Sequence, residues 1–166
     1  MLSTFRLSQP RRAACDPRTK HCTGVDIHPE YLRMARRRFP NSGYALDLVF
    51  ADVTQIELPL SRYRLVHAAL LLEYVEPRNL LGRVSRWLVP GGRCTIVLQL
   101  PSEGRAIITL SPYRSLGSLA GIMRLRDPQE VRRIAGDFGL EEVRSWEIPL
   151  PGAKRLQVML LARLAG

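Results

Sequence analysis

Lysine is almost absent from this 166-residue chain, occurring only at Lys20 and Lys154, although lysine and arginine together number 25. Arginine carries nearly all the positive charge. Genomic base composition explains that bias at least as well as an organellar transit peptide explains the Arg-rich, Ser-containing start with Arg6, Arg11, Arg12 and Arg18. Long apolar runs are missing too. The longest, residues 65–72, is interrupted by His67 and falls far short of the ~20 residues that a membrane helix requires, so a soluble protein is expected. No apolar stretch within the first twenty residues could serve as the core of a secretory signal. Cys15, Cys22 and Cys94 make an odd number without C-x-x-C spacing, which argues against a disulfide framework and suits a reducing compartment. Cytoplasmic location is the expectation. Aromatic residues make up 7% of the chain and show no regular spacing, so the stacking platforms of a single-strand nucleic-acid binder are not encoded.

What is present is one domain's worth of chain, 46% hydrophobic, enough to bury a core of its own. The net charge of +10 could attract nucleic acid or an anionic surface, but the basic residues are dispersed. Their densest internal run, Arg36 to Arg38, falls on a predicted helix whose apolar positions point elsewhere, which reads as a solvated face.

The pattern alternates strand and helix. Residues 21–27 (HCTGVDI) read as a strand running into His28-Pro29, a helix start, and Leu32, Ala35 and Phe39 give that helix an apolar stripe until Pro40 and Gly43 end it. Residues 46–51 (LDLVFA) read as a second strand feeding a polar loop. Residues 65–72 (LVHAALLL) suit an interior parallel strand covered on both faces, with Glu73, Tyr74 and Val75 at its carboxyl end. Pro77 opens a helix with Leu80, Val84, Trp87 and Leu88 on one stripe, and Pro90-Gly91-Gly92 stops it before strand 93–100. After an irregular stretch, Asp127-Pro128 caps a helix carrying Val131, Ile134, Ala135 and Phe138, closed by Gly139. Residues 141–148 and 155–163 are strand-like runs joined by so short a link that they must pair antiparallel. The expected architecture is α/β: a Rossmann-like, doubly wound, mostly parallel sheet with a C-terminal antiparallel hairpin. Residues 1–20 form a basic irregular segment and residues 21–166 the α/β domain.

Four local patterns in order, Thr23 to Glu30 (TGVDIHPE), Ala51-Asp52-Val53, Leu70 to Val75 (LLLEYV) and Leu88 to Gly92 (LVPGG), resemble the class I S-adenosylmethionine-dependent methyltransferase family. The resemblance covers roughly residues 16–163. It implies S-adenosylmethionine as cofactor and methyl transfer to a small-molecule acceptor as activity. An acid at a strand's carboxyl end just before a Pro-initiated helix, such as Asp26, can accept hydrogen bonds from both ribose hydroxyls, the reading favoured over a strand-end helix cap. The resemblance puts Asp26 and Ile27 at the ribose, Asp52 and Val53 at the adenine, and Ala69 and Leu70 near the methionine portion. Glu73 and Tyr74 would then face the substrate, against the alternative of core packing and a solvated strand end. No catalytic base is assignable, because alignment of an already nucleophilic atom can suffice for methyl transfer.

The first glycine is Gly24, so the family's first strand and glycine-rich loop are not visible before it. A complete βαβ unit needs ~30 residues, more than precede residue 21. A truncated or misread gene start is the simpler account, with residues 2–7 as a substitute strand the other. Two further functional readings stand beside the first. One is a methyltransferase-like protein without cofactor binding. The other is a basic nucleic-acid-binding domain, which dispersed charge argues against. Cys15, His21, Cys22 and His28 lack zinc spacing, and adjacent strand residues point to opposite faces, so no metal is expected. The sequence names neither the methyl acceptor nor the oligomeric state.

Overall fold

The computed structural model describes residues 19–40, 43–101, 123–151 and 154–165, and the chain divides into two compact units, Met1–Glu57 and Leu58–Gly166. The suggested substitute strand at residues 2–7, Cys15, and the unassigned Tyr113 and Arg114 lie outside the described residues.

Among the described residues, the first unit is a single β–α–β turn. Strand β1 (His21–Asp26) leads into helix α1 (Pro29–Arg38), and strand β2 (Ala45–Phe50) returns parallel to β1, in register from His21 opposite Ala45 to Asp26 opposite Phe50. Pro29 sits in the first turn, where its missing N–H costs nothing. Leu32 and Ala35 are buried as their spacing predicts, but Phe39 is exposed: the helix ends at Arg38, and Phe39 is its C-cap residue, off the helical stripe. Arg36, Arg37 and Arg38 are exposed in the last turn, where cations complement the helix dipole.

The second unit is larger. It comprises β3 (Tyr63–Ala69), α2 (Pro77–Trp87), β4 (Leu88–Gln99), α3 (Pro128–Gly136), β5 (Leu140–Leu150) and β6 (Lys154–Arg163). The strand order is β3-β4-β6-β5, with β3 parallel to β4 and β6 antiparallel to both its neighbours. The C-terminal hairpin thus forms as expected, with its second strand inserted between β4 and β5 rather than on the edge. Leu80, Val84, Trp87 and Leu88 are all buried, as are Val131, Ile134 and Ala135. Asp127 caps α3 by accepting the Gln129 N–H at 2.9 Å. The two helices meet where Ser85 Oγ donates to Phe138 O at 2.7 Å and Gly82 lies against the Phe138 ring.

Two expectations need correction. Residues 65–72 are not one continuous strand covered on both faces. Strand β3 ends at Ala69, because Leu70 turns into the left-handed region at φ 52°, and Leu65 is 60% exposed on a strand whose one partner among the described residues is β4. Nor does Pro90-Gly91-Gly92 separate helix from strand as a free turn. Strand β4 already begins at Leu88 opposite Tyr63, and the glycines form a bulge before pairing resumes at Arg93. Gly91 takes φ 73°, where a side chain is strained, and a Cβ on Gly92 would stand 2.8 Å from Val89 O.

Candidate functional site

In the first unit, the parallel pairing of β1 with β2 brings Asp26 and Asp52 to the carboxyl ends of neighbouring strands, where open α/β sheets collect ligands. Asp26 is only 4% exposed, and its Oδ1 accepts the His28 N–H at 2.7 Å in an Asx-type turn. The carboxylate is thereby oriented by its own backbone. Ile27, next along, is 66% exposed. The His28 ring stacks on Tyr31 one turn into α1, centroids 4.6 Å apart, and its Nδ1 is buried without a hydrogen bond among the described residues. Sequence reading attached no role to this pair, although His28 and Tyr31 share the i, i+3 spacing of one helix face.

Asp52 is exposed and begins a helical turn. Its backbone carbonyl accepts from Gln55 and Ile56 at 3.0 and 2.9 Å, while Oδ1 takes both the Thr54 N–H at 2.8 Å and the Thr54 hydroxyl at 2.7 Å. Val53 is half-buried beside it.

In the second unit the residues of interest cluster where β3 ends. Ala69 closes the strand, and Leu70 donates its N–H to Val97 O at 2.9 Å, the last ladder bond to β4. A branched residue in the left-handed region costs on the order of 1–3 kcal/mol and persists only where its surroundings hold it. After Leu70 the chain leaves β4. Backbone groups alternate sides along a strand with period two, so the Gln99 N–H faces the place that β3 has vacated. Glu73 fills that position. Its Oε1 accepts the Gln99 N–H at 2.7 Å, and its carbonyl accepts the Arg124 N–H at 2.8 Å.

Glu73 is completely buried, and Oε2 has no hydrogen-bond partner among the described residues. Burial pushes its carboxyl above the usual glutamate range, while the Gln99 amide and the Arg126 charge pull the other way. Tyr74 is half-buried, and burial together with the neighbouring Glu73 charge raises its phenol. Arg126, to which sequence reading gave no role, completes the cluster. Its Nε donates to Leu72 O at 2.9 Å, Nη2 donates to Val75 O at 3.1 Å, and Nη2 lies 3.9 Å from Glu76. No local pattern marks Arg126 among many arginines; only the fold brings it to the turn.

Asp26, Ile27, Asp52 and Val53 therefore form one group within the first unit, and Ala69, Leu70, Glu73 and Tyr74 another within the second. Among the described residues no cluster of three or more potential metal ligands occurs.

A family model described as a methyltransferase domain matches residues 7–92. No curated protein matches the chain. Among solved structures, the chain is similar to a geranyl diphosphate C-methyltransferase from Streptomyces coelicolor, in complex with Mg2+, geranyl diphosphate and S-adenosylhomocysteine, at 13% identity and TM-score 0.66 over 86% of this chain and 64% of that one. It is also similar to the N-methyltransferase NodS from Bradyrhizobium japonicum with S-adenosylhomocysteine, at 17% identity and TM-score 0.63 over 85% and 65%. A third structure, an S-adenosylmethionine-dependent methyltransferase from Methanosarcina mazei, gives 18% identity and TM-score 0.65 over 90% and 85%. The chain thus spans about two-thirds of the first two and most of the third. Similarity at these identities shows a shared Rossmann-like α/β fold.

Proposed function

Because the chain belongs to the methyltransferase domain family, of the class I type whose cofactor is S-adenosylmethionine, we propose that it catalyses S-adenosylmethionine-dependent methyl transfer to a small-molecule acceptor. The observation that carries this reading is the pair of carboxylates at adjacent strand ends in the first unit, Asp26 and Asp52. Their chemistry suits the cofactor: ribose offers two hydroxyl donors and adenine an amino donor, and an ionised carboxylate only accepts. Asp26, buried and held by the His28 amide, would take the ribose hydroxyls with Ile27 beside it. Asp52 would take the adenine amino group, with Val53 flanking the ring. Ala69 and Leu70 belong to the methionine portion and Tyr74 to the substrate side, to which the wholly buried Glu73 presents no surface. When bound, S-adenosylmethionine supplies an electrophilic methyl group, so the chain's own contribution is orientation of the acceptor atom and exclusion of water.

Residues 21–166 act in this reading as one methyltransferase-like domain, preceded by the basic residues 1–20, in the cytoplasm. Small-molecule ligands in relatives, such as the geranyl diphosphate of the Streptomyces coelicolor enzyme, support the acceptor class. Calorimetric titration of the folded chain with S-adenosylmethionine tests the proposal, with micromolar affinity expected. Asp26→Ala should weaken that affinity by about 1–3 kcal/mol. An unchanged affinity removes Asp26 from the ribose.

A second reading has its own observation. No glycine precedes Gly24, and β1 and β3 each have one partner strand among the described residues. On that reading the chain is methyltransferase-like without cofactor affinity, and the same titration shows no heat.

A further inference from the structure

The geometry points to Glu73 and Arg126 as positioning residues that hold the turn at residues 70–75 against the end of β4 and the segment entering α3. Strand β3 stops one ladder step before β4 does, since Leu70 N–H reaches Val97 O and nothing from the backbone of β3 reaches the Gln99 N–H. An amide left unpaired in a buried strand end is costly, and a carboxylate oxygen is a stronger acceptor than the carbonyl it replaces. Glu73 Oε1 supplies it at 2.7 Å. The Arg126 guanidinium ties Leu72 O and Val75 O with two different nitrogens, so the turn is gripped at both of its shoulders. The Arg124 N–H bond to Glu73 O adds a third point of attachment two residues from Arg126.

What this grip positions is Leu70. Its left-handed backbone lies immediately before the gripped residues and immediately after Ala69. A relaxed, extended Leu70 would continue β3 alongside β4 and undo the turn at residues 70–75. Glu73 therefore acts through the turn. This inference deepens the proposed function, and rests on it, only in the claim that Ala69 and Leu70 serve the cofactor.

The test compares Glu73→Ala with Glu73→Gln in the full chain, by amide hydrogen exchange and by titration with S-adenosylmethionine. Gln retains an oxygen acceptor for Gln99, so Glu73→Gln should keep near-wild-type exchange. Glu73→Ala should raise exchange about tenfold or more at Gln99 and also at Leu70 and Arg124, whose bonds depend on the turn's placement. Faster exchange confined to Gln99, or none, overturns the positioning role. If Glu73→Ala does not fold, Arg126→Lys carries the test. It keeps the charge but loses the two-pronged grip, so exchange at Leu70 and Tyr74 should rise about tenfold, and wild-type exchange there overturns the inference. With S-adenosylmethionine, Glu73→Ala should bind about tenfold more weakly and Glu73→Gln within about threefold of wild type. If the wild-type chain binds none, the proposed function fails, while the exchange data still decide the grip by themselves.

Discussion

The two units of this protein contrast sharply in how they are held together. Among the described residues, the first buries only Leu32 and Ala35 as apolar core, beneath a two-stranded sheet that leaves Ile27, Met34, Phe39 and Phe50 exposed. So small an apolar core supplies little stability by itself. The second unit, among its described residues, packs two helices and four strands around Leu80, Leu81, Val84, Trp87, Ile96 and Leu161, all nearly inaccessible. The acids proposed for the cofactor stand in the weakly packed unit, and the buried Glu73 and Arg126 grip in the strongly packed one. Ligand-binding segments are drawn from the less stable parts of a fold because they must adapt, whereas a grip that holds a strained residue needs rigid surroundings.

The largest test of this contrast is core truncation. Trp87→Ala should cost about 3–5 kcal/mol in chemical denaturation, whereas Leu32→Ala should cost about 2 kcal/mol or less, and equal costs would erase the distinction. Amide exchange addresses the same difference without mutation. Protection of Ile96 and Met159 in β4 and β6 should exceed that of Val49 in β2 by on the order of a hundredfold. Comparable protection would mean that the first unit is far better supported than its buried residues indicate.

A smaller effect sharpens the picture inside the strong unit. Gly92→Ala places a methyl group against Val89 O and Tyr63 O in the β4 bulge and should destabilise by about 1–3 kcal/mol, read from thermal unfolding. Smallest, but informative in sign, is the pH dependence of Glu73. Its carboxyl is raised in the folded state, so between the ordinary glutamate range and that raised value the folded chain holds more protons than the unfolded one. Stability contributed by Glu73 is then greatest at low pH and declines as pH rises through that window. Glu73→Gln, which cannot ionise, should gain relative to wild type as pH is raised from about 4 toward neutrality. A gap that widens in the opposite direction would show the carboxylate to be the favoured buried form.

Much of this was legible in the order of residues. Pro29, Pro77 and Asp127-Pro128 announced three helix starts because proline's fixed φ and missing N–H suit the first turn, and the buried stripes of α2 and α3 followed from their i, i+3, i+4 spacing. The antiparallel hairpin followed from a link too short for a crossover. The apolar run at residues 65–72 misled because apolarity does not report backbone conformation. Leu70 is as hydrophobic as its neighbours, and only its φ of 52° ends the strand.

The candidate site divides in the same way. Local rules identified Asp26 and Asp52, since each stands at a strand's carboxyl end and bonds an amide two residues on. Arg126 and the partner of Glu73 were invisible, because the bonds from Arg126 to Leu72 and from Gln99 to Glu73 join residues 54 and 26 positions apart. What the sequence determined by itself is the succession of strands and helices, their capping residues and the acids at the ends of β1 and β2, all consequences of period, propensity and turn chemistry over a few residues. Only the tertiary structure decided where β3 stops, which arginine meets the turn and that Glu73 is wholly buried. Those outcomes depend on backbone groups that must find partners far along the chain once water is excluded.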